Sequence, residues 1–116
     1  MSIVPIDGGV CASLGFESSF ASAGIKNPEN KRLDCALIVS KNKATVAGTF
    51  TTNRVKAAPV LWCQQVCEQG EAQAVFINSG NANACTGEQG KKDVEQTAEE
   101  LASLLKVEKK HVLIMS

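Results

Sequence analysis

At 116 residues and 44% hydrophobic composition, the chain has the length and make-up of one globular domain with a modest core. Twelve basic residues cancel twelve acidic ones, so no nucleic acid and no membrane surface is expected as a partner, since holding either needs surplus Lys or Arg. The aromatic residues Phe16, Phe20, Phe50, Trp62 and Phe76 are scattered and offer no platform for stacking bases.

The segment Met1 to Asp7 lacks the basic-then-apolar order of a secretory signal and is too poor in Arg and Ser for a transit peptide. No apolar run approaches the roughly 20 residues that span a bilayer, so a soluble, cytoplasmic protein is expected. Gly15 to Ala23, anchored by Phe16 and Phe20, predicts a strand, and Gly24 to Arg32, with Asn27-Pro28-Glu29-Asn30, predicts a turn-rich connector. Leu33 to Val39 predicts a second strand, with Asp34 and Arg32 as a surface ion pair. The polar tetrad Ser40 to Lys43 is a hairpin signal, so Ala44 to Thr51 is expected to return as a third strand. Its Val46, Gly48 and Phe50 alternate against Thr45, Ala47, Thr49 and Thr51. Thr51 to Arg54 reads as a solvated turn or an intersubunit contact.

Pro59 suits the first turn of a helix over Ala58 to Gln69, where Val60, Trp62 or Cys63, Val66 and Cys67 recur at helical spacing and Gly70 supplies the stop. A strand over Gln73 to Ile77 follows. Lys91 to Lys106 predicts an amphipathic helix with Val94, Ala98, Leu101, Leu104 and Leu105 on its buried stripe, and Val112 to Met115 predicts a last strand. Strand, helix and strand read as a right-handed βαβ crossover. Its loops at the carboxyl ends of the strands lie where α/β sheets place ligands.

Cysteines stand at positions 11, 35, 63, 67 and 85, an odd count that favours reduced thiols over a disulfide framework. Cys63 and Cys67 share a helix face, but with His111 as the sole histidine no metal-ligand set is legible, and buried packing is expected of these thiols. Cys85 has no base beside it and is given a packing role as well.

Between the strand ending at Ile77 and the long helix runs Asn78-Ser79-Gly80-Asn81-Ala82-Asn83-Ala84-Cys85-Thr86-Gly87. Small residues and three asparagines so close together predict a compact loop held by side-chain amides. Its plainest use is a strand-to-helix connection with Thr86 as helix cap. Its functional use is to line or brace an active centre through Asn78, Asn81 and Asn83, with bracing preferred.

Three blocks of the chain, in order, resemble the ornithine acetyltransferase family, the bifunctional enzymes of arginine biosynthesis. They are Gly8-Gly9-Val10 through Gly15-Phe16 to Gly24-Ile25-Lys26; Arg32 to Ile38 with Thr49 to Val60; and Val75 to Gly90, VFINSGNANACTGEQG. The resemblance implies an α/β fold, the amino-terminal portion of a layered sandwich of the self-cleaving ornithine acetyltransferase and aminopeptidase-like type. It makes residues 1–116 a single piece of the first, alpha, chain. The implied reaction is acetyl transfer from N-acetylornithine to glutamate through an acetyl-threonine, with acetyl-CoA as a further donor in many members and no other cofactor. The implied partner is a beta chain cut from the same precursor, in a heterotetramer. In the family the last strand runs into a Ser-Thr-Gly loop that helps form the oxyanion hole, and the self-cleaving Ala-Thr bond lies further on. The match here reaches Ser116, so a truncated chain with no catalytic residue of its own, inactive alone, is expected. Two rival expectations are a fragment of an aminopeptidase-like hydrolase and a non-enzymatic assembly domain.

Overall fold

The computed structural model describes residues 1–29 and 31–116. Among the described residues four strands and two helices follow in order: β1 Phe16–Ala21, β2 Cys35–Thr45, α1 Ala58–Gln69, β3 Glu71–Asn78, α2 Gly87–Leu105 and β4 Val112–Met115. Single turns of 3₁₀ helix precede β1 at Val10–Ala12 and β4 at Lys109–His111. The sheet order is β1-β2-β3-β4, with the first two pairings antiparallel and β3 parallel to β4 through α2, the crossover expected from the sequence.

The return strand expected over Ala44 to Thr51 does not form. β2 is one strand of 11 residues, and Ser40 to Lys43 are an irregularity within it: Val39 pairs with Ala74 and Ala44 with Ala72, so extra residues stand on the β2 side. The tetrad stays in the strand because its polar groups find partners there. Lys41 donates its N–H to the Gly15 carbonyl at 2.8 Å, and its ammonium lies 3.6 Å from Glu17. Beyond Thr45 the chain leaves the sheet and runs against α1. A Cβ on Gly48 would come within 2.8 Å of the Phe50 ring and 3.1 Å of the Cys67 sulfur. The connector between β1 and β2 is turn-rich as expected, with Gly24 at φ 65° and the Asn27 side chain accepting the Glu29 N–H at 3.0 Å; Asn30 lies outside the described residues.

Both helices cover the same face of the sheet. The buried core is Ala58, Ala74, Val94, Ala98, Ala102, Val112 and Ile114, flanked by Trp62, Phe76 and Leu101. Its alanines let helix and sheet approach closely. Leu104, expected on the α2 stripe, is 79% exposed, and Ala102 takes the inward position instead. α2 also starts at Gly87, four residues before the expected Lys91: the glycines of Gly87-Glu88-Gln89-Gly90 hide its first turn from propensity, yet Glu88 suits the positive end of a helix. Gly90 is buried, and a Cβ there would overlap the Thr86 side chain. α1 ends where expected, at a left-handed Gly70.

β4 is an edge strand, and α1 takes two of its carbonyls. Trp62 Nε1–H donates to Val112 O at 2.7 Å and the Cys63 thiol to Ile114 O at 3.1 Å. Strand alternation and the pairing register put Phe16, Phe20, Ile38, Val75, Leu113 and Met115 on the face away from the helices. Among the described residues, no helix is long and apolar enough to cross a membrane.

Candidate functional site

Because β3 and β4 are parallel, their carboxyl ends lie side by side, and the asparagine run leaves β3 at that end. Four of its residues have positive φ: Gly80 (129°), Asn83 (47°), Cys85 (57°) and Gly87 (60°). Glycine adopts this region freely and asparagine tolerates it, whereas a cysteine there is uncommon.

The surroundings clamp the run from three directions. On the β2 side, Ser79 donates its N–H to the Asp34 carbonyl at 2.8 Å. Gly80 packs so closely on Ile25 and Lys26 that a Cβ would stand 3.3 Å from each. On the helix side, Ala58, the first residue of α1, donates its N–H to the Asn83 carbonyl at 3.3 Å. On the β4 side, the Ser116 hydroxyl donates to Ala82 O at 3.3 Å.

The three asparagines do different work. Asn81 Oδ1 accepts the Asn83 N–H at 3.2 Å, a local turn of the kind expected. Asn83 contributes its backbone carbonyl, shared by Ala58 N–H and the Thr86 hydroxyl at 3.2 Å. Asn78, the last residue of β3, has its Oδ1 buried with no hydrogen-bond donor among the described residues. The expectation that the amides bond mainly to backbone therefore holds for Asn81 and not for Asn78.

Three neighbouring assignments are corrected. Thr86 stands at the N-cap of α2, but its hydroxyl turns back to Asn83 and caps no helical N–H. Cys85 is exposed and packs into no core, as is Cys11, whose sulfur lies 3.1 Å from Ser18 Oγ. Asp34 is not simply half of a surface pair: its two oxygens accept the Ala23 N–H at 2.6 Å and the Ile25 N–H at 2.9 Å. Those two bonds hold its carboxyl below the usual carboxylate range.

Beside Ser116 opens an apolar cavity of about 370 Å³, walled by Phe50, Pro59, Val60, Cys63, Ile114 and Met115. Sequence reasoning missed it by reading 44–51 as a strand. The signal was Gly48, since a glycine inside a strand-like pattern marks close backbone approach. The Cys63 thiol on its wall is pushed up by burial, away from the thiolate a nucleophile needs. His111 is buried at the amino end of β4, a strand length of about 13 Å from the loop, so it serves no nucleophile there. Among the described residues no cluster of His, Cys, Asp or Glu could hold a metal ion.

The profile of the ArgJ family matches residues 17–116. The chain belongs to the ArgJ family. It is 46% identical over 111 residues to the arginine biosynthesis bifunctional protein ArgJ of Caldanaerobacter subterraneus, covering 96% of this chain and 27% of that protein. It is 48% identical over 108 residues to the ArgJ protein of Streptomyces avermitilis, covering 92% of this chain and 28% of the relative. In three dimensions it is similar to ornithine acetyltransferase of Mycobacterium tuberculosis, crystallised with ornithine, with a TM-score of 0.86 and 42% identity over 93% of this chain and 59% of that one. The Bacillus halodurans ArgJ structure matches with the same TM-score at 33% identity, over 92% of this chain and 55% of the other. The sequence thus spans about a quarter of the length of these curated ArgJ relatives.

Proposed function

We propose that this chain is the scaffold portion of an ArgJ-type acetyltransferase of arginine biosynthesis, which moves an acetyl group from N-acetylornithine to glutamate and takes acetyl-CoA as a second donor. The reading is carried by one observation: 93% of the chain superposes, at 42% identity, on an ornithine acetyltransferase crystallised with ornithine. In this reading the nucleophile is a threonine freed when the precursor cuts itself, whose own α-amine acts as base. It begins a beta chain that assembles with this one into a heterotetramer, in the cytoplasm.

The part played by residues 1–116 is placement. Acyl transfer needs donors fixed at the site where the oxyanion develops. β3 and β4 set two loops side by side, and Asn78, Asn81 and Asn83 brace the first of them. No catalytic residue is assigned within the chain. The complete protein should transfer the acetyl group from N-acetylornithine to glutamate and leave amino-terminal peptide amides intact. The isolated 116 residues should do neither. Cleavage of peptide amides by the complete protein would favour the hydrolase reading, and turnover by the isolated chain would overturn the assignment of scaffold.

A further inference from the structure

A second cavity opens on the β2 side of the asparagine loop, where the turn after β1 and the entry to β2 meet Ser79 and Gly80. It measures about 390 Å³, within the ~300–1,000 Å³ of small-molecule sites, and its walls include Lys26, Asn27, Arg32, Asp34, Ser79 and Gly80. Its frame is fixed. Asp34 accepts the Ala23 and Ile25 N–H groups on its carboxylate and the Ser79 N–H on its carbonyl, and Gly80 lies tight against Lys26.

From Lys26 to Asp34 the chain carries Lys26, Lys31 and Arg32 against Glu29 and Asp34, a surplus of one positive charge. The acid on the wall is already engaged by two N–H groups. Lys26, by contrast, makes no ion pair among the described residues. An ammonium and a guanidinium on one wall suit a phosphate, the first as a point charge and the second as a two-pronged donor.

Position selects the ligand. Neighbouring strands stand about 4.8 Å apart, so a cavity at the entry to β2 lies roughly 10 Å across the sheet from the end of β4. The proposed function puts acyl transfer at the β3 and β4 ends. Glutamate and N-acetylornithine carry their carboxylates within a few bonds of the reacting nitrogen and cannot reach both places. Acetyl-CoA carries its phosphates at the far end of the long pantetheine arm.

We propose that the cavity of Lys26 and Arg32 binds the phosphate groups of acetyl-CoA and takes no part in binding the amino-acid substrates. The inference rests on the function proposed above, which supplies acetyl-CoA as the second donor.

Two measurements on the complete protein test it. Both use Lys26→Ala, which keeps the Cβ beside Gly80 and so leaves the cavity wall in place. In direct titration with CoA, this variant should bind about tenfold more weakly than wild type, and Lys26→Arg should stay within about threefold of wild type. In kinetics, KM for acetyl-CoA should rise about tenfold in Lys26→Ala, while kcat and KM with N-acetylornithine and glutamate stay within about twofold. No CoA binding by wild type, or equal binding by wild type and Lys26→Ala, would overturn the proposal. Parallel losses with both donors would overturn it too, since they would mark Lys26 as part of the fold or of the amino-acid site. If wild type transfers no acetyl group from N-acetylornithine, the proposed function fails instead, and the CoA titration still decides the site by itself.

Discussion

Asp34 ties the sequence around it into one knot. Its side chain takes the N–H groups of Ala23 and Ile25 at the exit from β1, and its carbonyl takes Ser79 at the start of the asparagine loop. The carboxyl is held below its ordinary range first by the bond from Ala23, then by that from Ile25. A carboxylate with a folded pKa below its unfolded one adds stability above the unfolded value, about 4, and loses it as pH falls through the folded one. Asp34→Asn should therefore lower the melting temperature at pH 7, and the gap from wild type should close on acidification below about pH 4. Thermal melts from pH 7 to 3 check it, and a gap independent of pH would refute it. Glu108 is lowered too, chiefly by Lys110, so the wild-type curve alone would not separate the two groups. Neither the Asp34 knot nor the Thr86 turn back to Asn83 was legible in the sequence. A short polar side chain has several backbone groups in reach, and the local chain does not say which one the fold brings near.

At the scale of elements, α1 was legible from Ala58 to Gln69 because each signal was local: a proline at its start, apolar spacing along it and glycine at its end. β2 was not, because a bulge and a hairpin turn share the same polar vocabulary. The choice was made by Gly15 O, just before β1, and by Glu17 within it, which give Lys41 its partners. The Trp62 bond to Val112 belongs to this scale, since it joins helix to edge strand across 50 residues. Trp62→Phe keeps most of the ring but leaves the carbonyl without that donor. It should cost about 1–2 kcal/mol, read as a shift in urea midpoint with unchanged slope. An unchanged midpoint would show that the bond adds nothing beyond what solvent supplies.

At the scale of the molecule, the helices bury one face of the sheet while the other keeps an apolar row. Phe20 is 70% exposed and Met115 51% exposed on it. Soluble monomers rarely leave contiguous apolar surface beyond a few hundred Å². The isolated 116 residues should accordingly self-associate, with a sedimentation coefficient that rises with concentration. Phe20→Glu should shift them toward monomer, because a charge on that face must be desolvated in any face-to-face contact. A wild-type chain that stays monomeric at all concentrations would contradict this.

The pattern of Val75 to Gly90 and the two blocks before it determined the family, and apolar spacing with local start and stop signals determined both helices, apart from the first turn of α2, and through the strand-helix-strand order the parallel pair β3 and β4. Those properties repeat along the chain, so a local window contains them. Only the tertiary structure decided that the Asn78 Oδ1 is buried with no donor among the described residues while Asn81 bonds within its own loop. Only it decided that residues 46–50 wall a cavity beside Ser116 instead of joining the sheet. Three asparagines within six positions look alike as sequence. Burial and register, set by strands and helices far along the chain, are what make them different.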